Sequence, residues 1–168
     1  KSEDVALTYL FKMGSLYEDV LGEMTRAVEV YRRVLERQPH NLAAIHAVQR
    51  TAERAGLHRE LLRALDSEAK LTADRTLVAA LEHRGAEVAA DLLDDAEEAL
   101  SRLQALVKRE PKHAGALGTL GRLFKKVGRI EDQLGIYQRR FSITEGRSAK
   151  VALLVEMAEI AERQLGDV

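Results

Sequence analysis

The chain has 168 residues, 46% of them hydrophobic and 32% charged, with a formal net charge of −1. That balance excludes a disordered segment, which combines low hydrophobicity with high net charge, and supplies no global field toward nucleic acid or an acidic membrane. With no cysteine the chain has neither disulfides nor thiolate metal sites, a composition that fits a cytoplasmic setting better than a secreted one, and no apolar run approaches the ~18 residues that span a bilayer.

Ala, Leu, Glu and Arg dominate and aromatics are only 4%, which predicts an all-α protein. Apolar spacing predicts helical segments at roughly 3–21, 24–38, 42–55, 59–71, 75–93, 95–110, 114–127, 130–143 and 148–165. In the first, Leu10, Met13, Gly14 and Tyr17 share a face; in the seventh, Leu117, Leu120, Gly121 and Phe124 do. Gly22 breaks the chain after the first segment, and Gly56 and Gly128 follow helix ends, where a left-handed residue closes the last turn. Asp94 stands at the break equivalent to Gly22, and Asp95 is placed to cap the next helix. Pro39 and Pro111, the only prolines, each end a helix, because the residue before a proline disfavours α geometry. Gly135 lies inside the eighth segment at a cost of about 1 kcal/mol relative to Ala, which predicts close helix packing at that point.

The two prolines are 72 positions apart, and at that offset the chain matches itself without a gap. Asp19 falls on Asp91, Ala27 on Ala99, Arg37 on Arg109, Ala44 on Ala116, Arg50 on Arg122 and Gly56 on Gly128. A third copy begins where Ala80, Leu81 and Ala86 fall on Ala152, Leu153 and Ala158. Each unit holds four helices, or two hairpins, so the half-unit is close to the 34-residue tetratricopeptide period.

The residues carry that resemblance further. Met13, Gly14 and Tyr17 match the large–small–aromatic pattern of that family's first helix, and Ala27, Tyr31, Val34 and Pro39 match its second. Ile45, Val48 and Ala52, then Ala86, Ala99, Leu103 and Pro111, then Gly121, Phe124 and Tyr137 continue it. The chain therefore resembles the tetratricopeptide repeat family, in the manner of tandem arrays in large bacterial members. The resemblance implies one domain over 1–168, an α-α superhelix or solenoid of about four and a half hairpins. Its approximate repeats are 3–39, 42–73, 75–111, 114–145 and an incomplete 148–168. Hairpins one and three carry an extra residue at Leu21-Gly22-Glu23 and Leu93-Asp94-Asp95. The implied function is a non-enzymatic scaffold that binds a protein or peptide in the concave groove lined by first helices. A structural spacer in a larger protein and an RNA-binding helical repeat are the alternatives. Near-zero charge and few groove aromatics argue against nucleic acid, and nothing points to a membrane.

Counted from the small residue of each first helix, the partner-binding candidates are Phe11, Arg50, Arg54, Arg122, Lys125 and Lys126, and the first helix turns Phe11, Lys12, Ser15, Glu18 and Asp19 to the groove. Charge sign alternates from one first helix to the next. Neighbouring helices can pair these charges, at no more than ~1 kcal/mol per exposed pair. Alternatively Arg122, Lys125 and Lys126 bind an acidic peptide through charge-assisted bonds. The Lys–Asn carboxylate clamp of some relatives is missing: Phe11, His46, His83, Gly118 and Val155 occupy one of its positions and Ser15, Arg50, Glu87, Arg122 and Glu159 another. A metal bridging His46 and His83 would need three or four converging ligands, so ordinary histidines are expected. No phosphate loop or nucleophile motif occurs, so no catalytic residue, cofactor or metal ligand is assigned. The ends read as those of a fragment of a longer array. Leu154, Met157, Ile160 and Ala161 of the last helix are then expected to be exposed and to favour self-association.

Overall fold

The computed structural model describes residues 2–166, with side chains over 4–162. Within them lie nine helices and no strand. They are α1 (Ser2–Ser15), α2 (Met24–Arg37), α3 (Leu42–Ala55), α4 (His58–Leu71), α5 (Arg75–Glu87), α6 (Ala96–Arg109), α7 (Ala114–Lys126), α8 (Ile130–Ile143) and α9 (Arg147–Gly166). α1 and α5 each run directly into a π-helical turn, Leu16–Val20 and Val88–Leu92, at equivalent places in the 72-residue repeat. A π turn accommodates one extra residue within a helix. The surplus residue of hairpins one and three is therefore absorbed in the last turn of the first helix and not in the loop.

The chain divides into two compact units, Lys1–Val88 and Ala89–Val168. In the first, each helix packs on its successor from α1 to α5; in the second, from α6 to α9. Local chemistry sets the breaks. Asn41 caps α3 by accepting from the Ala44 N–H, Asp95 caps α6 through the Glu98 N–H, and His113 Nδ1 caps α7 through the Ala116 N–H. Gly56 closes α3 at φ +68°, and Asp94 is, among the described residues, the non-glycine residue that adopts positive φ, at 52°.

The repeat pattern translates into packing. A Cβ on Gly14 would lie 2.6 Å from Tyr31 Cζ and 2.9 Å from Cδ1; one on Gly121 would lie 2.9 Å from Tyr137 Cε2. In both units a glycine of a hairpin's first helix leaves room for the aromatic ring of its second. Ile45 in the first unit and Leu103, Leu117 and Leu120 in the second are fully buried.

Two expectations change. Ile160 is buried, packed with Tyr137 and Leu153, and Met157 and Ala161 are half-buried. α9 is apolar on more than one side, and the stripe carrying Ile160 is the one turned toward α8. Its exposed apolar residues are Val151, Leu154 and Val155. Gly135 is not a close-packing position, since a Cβ there would meet nothing within 4 Å.

Candidate functional site

The first-helix faces are organised by the π turns. In the first unit the turn at Leu16–Val20 aims Glu18 inward, where it is only 4% exposed despite its charge. Buried carboxylates need partners. Arg50 of α3 supplies a forked pair, Nε to Oε1 at 2.6 Å and Nη2 to Oε2 at 2.7 Å. Arg54, one turn on, donates to Oε1 at 3.2 Å, and the Tyr31 hydroxyl donates to Oε2 at 3.3 Å. The hydrogen bond from Arg50 is the main influence holding the Glu18 carboxyl below the ordinary carboxylate range, against the opposing effect of burial. The arginine heads remain about half exposed. Farther along the face, Arg84 Nη2 of α5 meets Glu53 Oε1 of α3 at 2.7 Å.

The second unit closes the equivalent junction with different residues. Ala90 stands where the first unit has Glu18, so no buried acid is available to Arg122. The neighbouring Asp91 takes the role: Arg122 Nη1 and Nη2 bond its two oxygens at 2.6 and 3.0 Å. Lys126 Nζ lies 2.5 Å from Asp94 Oδ1. Both pairs are solvent-exposed, whereas the acid of the first pair is buried.

The six sequence candidates thus fall in different environments. Arg50 and Arg54 converge on Glu18, while Arg122 and Lys126 hold separate aspartates. Lys125 is exposed and has no ion pair among the described residues. Phe11 is half-buried, its ring centroid 6.0 Å from that of Tyr31. The burial of Glu18 corrects its placement on the groove surface: the Tyr31 hydroxyl and the Arg50 and Arg54 side chains close over its carboxylate. The cross-helix pairing anticipated from alternating signs is present. The histidines separate, His46 Nε2 lying 3.0 Å from Glu68 Oε1 and His83 Nε2 3.9 Å from Glu87 Oε1. Among the described residues no three His, Cys, Asp or Glu side chains converge as a metal site would require. No helix there is long and apolar enough to cross a membrane.

Helical hairpins, a glycine of the first helix receiving a ring of the second, and first-helix faces joined by ion pairs define a helical-repeat protein. The comparisons make the class specific. Residues 8–41 match the family model described as the tetratricopeptide repeat. A crystal structure of MamA protein is similar at a TM-score of 0.58 and 18% identity, over 96% of this chain and 94% of that one. A tetratricopeptide repeat protein from Parabacteroides merdae is similar at 0.63 and 16%, over 94% and 61%. YrrB, whose structure is described as that of a TPR protein with an unusual peptide-binding site, is similar at 0.57 and 15%, over 91% and 76%. No curated protein sequence matches the chain. Residues 8–41 thus resemble a tetratricopeptide repeat, and the chain has the all-α fold of tetratricopeptide-repeat proteins. Proteins of this kind are typically non-catalytic interaction scaffolds.

Proposed function

We propose that the chain is a non-enzymatic scaffold that binds an acidic peptide or protein segment through its first-helix faces, chiefly that of α7. The observation that supports this reading is Lys125, an exposed ammonium with no ion pair among the described residues. It stands on the same helix as Arg122 and Lys126. Their pairs with Asp91 and Asp94 are exposed, and pairs of that kind contribute about 1 kcal/mol at most, so an incoming carboxylate competes for them at little cost. Charge-assisted bonds from Arg and Lys then hold the ligand. In the first unit Arg50 and Arg54 keep about half of their side-chain surface exposed while bonded to the buried Glu18, so a ligand there adds to that pair and does not displace it. The peptide-binding description of YrrB is consistent with this class of function. A spacer role is the second reading, favoured by the Glu18–Arg50 and Glu53–Arg84 pairs, which join the helices of that face to each other.

Lys125→Glu separates the two. For a scaffold, titration with an acidic peptide should show affinity that falls with salt and weakens by roughly fivefold in the variant, the equivalent of about 1 kcal/mol. The melting temperature should not change, because the side chain is exposed and unpaired. Equal binding by wild type and variant would leave the spacer.

A further inference from the structure

The second unit carries a groove on a different face, between α6 and α8. It has a volume of about 570 Å3, inside the range of about 300–1,000 Å3 usual for ligand sites. Val107 of α6, Leu120 and Phe124 of α7 and Ile136 of α8 give it an apolar floor, and Gly135 forms part of its wall. The rim is polarised. Lys108 and Arg139 lie on it, and neither charged group makes an ion pair or hydrogen bond among the described residues. Glu131 and Asp132 mark the other end of the α8 edge, about 12 Å from Arg139 along the helix at 1.5 Å per residue. Asp132 is held by Arg129 at 2.7 Å, and the Arg129 guanidinium lies 4.8 Å from the Phe124 ring centre.

Gly135 gives the groove its significance. Glycine in mid-helix disfavours the helix, and close packing does not explain it here, because a Cβ would meet nothing within 4 Å. The equivalent residue in the first unit is Arg63, an exposed side chain paired with Glu60 on the same helix. What the second unit gains from glycine at this position is an unobstructed wall.

We propose that this groove binds an acidic peptide segment of a partner protein, with one large apolar residue seated on the Val107–Leu120–Phe124–Ile136 floor. Carboxylates flanking the anchor meet Lys108 and Arg139, and the acidic end at Glu131 sets the direction of the segment by repelling them. Gln104 on the rim offers its amide to peptide backbone groups. That is chemistry a fatty-acid chain would not use, which favours a peptide over a lipid.

The probe is a fluorescent acidic hexapeptide with a single central Trp, followed by polarisation, with laurate as the competing amphiphile. Gly135→Ala should keep affinity within about twofold and raise the melting temperature. Gly135→Arg, which places the first unit's side chain in the groove, should weaken binding roughly tenfold or more without lowering the melting temperature. Lys108→Glu with Arg139→Glu should abolish binding of the acidic probe and confer binding of its Lys-substituted counterpart. Lys125→Glu should leave this site unchanged, so its failure is distinguishable from failure of the α7 face. No measurable binding of the probe, equal binding by Gly135→Arg, or displacement of the probe by laurate at lower concentration than by unlabelled peptide would overturn the proposal.

Discussion

Glu18→Ala should destabilise the first unit by about 2–3 kcal/mol, read by urea unfolding. Truncation leaves the buried Tyr31 hydroxyl without its acceptor, a loss of roughly 1–3 kcal/mol. It also opens a small void and removes the bonds that join α3 to the end of α1. The full penalty of about 3–5 kcal/mol for breaking a buried pair is not reached, because Arg50 and Arg54 can turn their half-exposed heads to water. Glu18→Gln keeps the shape and an acceptor for Tyr31, and should cost about half as much. Arg50→Ala should be worse than Arg54→Ala, since Arg50 provides both short bonds and Arg54 one longer one. A change below about 0.5 kcal/mol for Glu18→Ala, the size usual for an ordinary surface position, would show that the cluster does not join the two helices.

The same carboxylate makes stability depend on pH in a defined direction. Its folded-state pKa is depressed below the ordinary glutamate value, first by the Arg50 hydrogen bond. Such a group binds fewer protons folded than unfolded, so its contribution is complete above the ordinary glutamate value and is lost as pH falls through the depressed one. Wild type and Glu18→Gln should therefore differ at neutral pH and converge under acid. Tyr31 acts at the other extreme. Burial, then the charge of Glu18, raises its pKa above 10.0, so its contribution is present below that value and is lost as pH rises through the raised one.

The helices were legible because their punctuation is chemical. Pro39, Asn41, Gly56 and Asp95 mark ends whose causes are local, and the predicted and observed bounds differ by only a few residues. The π turns were not legible as such. Five residues are too few for apolar spacing to distinguish a π turn from an α turn. Their one trace was the surplus residue near Gly22 and Asp94, which reads equally well as a longer loop. The burial of Glu18 was not legible either: it stands four residues after the buried Gly14, on the same side of the helix, and what covers it is Tyr31 of α2 and Arg50 and Arg54 of α3, partners that lie 13 to 36 residues on. The alternating signs did foretell that neighbouring first helices would pair. They could not foretell that Ala90, in place of a second buried glutamate, would hand Arg122 to Asp91. Gly135 shows a different limit: a mid-helix glycine signals that something is needed there, but close approach and open space look identical in sequence.

Glycine to alanine at three positions of this chain should give three different results, and Gly14 the largest loss. In an unobstructed helix interior the change stabilises by up to about 1 kcal/mol, through helix propensity and a less flexible unfolded chain. Gly135→Ala should show that gain, since its Cβ meets nothing. At Gly121 the new Cβ would lie 2.9 Å from one atom of the Tyr137 ring, with the next contacts at 3.5 and 3.6 Å, so a shift of a few tenths of an ångström relieves it and the two effects should nearly cancel. At Gly14 three atoms of the Tyr31 ring fall within 3 Å of the new Cβ. Tyr31 cannot tilt freely, because its ring is buried and its hydroxyl is tied to Glu18. Gly14→Ala should therefore be destabilising by about 1–3 kcal/mol net, the usual size of overpacking in a filled core. The cause is specific to the ring, so the loss should shrink in a Tyr31→Leu background, where the smaller side chain vacates the space. A double-mutant cycle followed by chemical denaturation measures that coupling directly. If Gly14→Ala proves as stabilising as Gly135→Ala, or its cost persists unchanged beside Leu at position 31, the glycine–ring contact does not set the approach of α2 to α1.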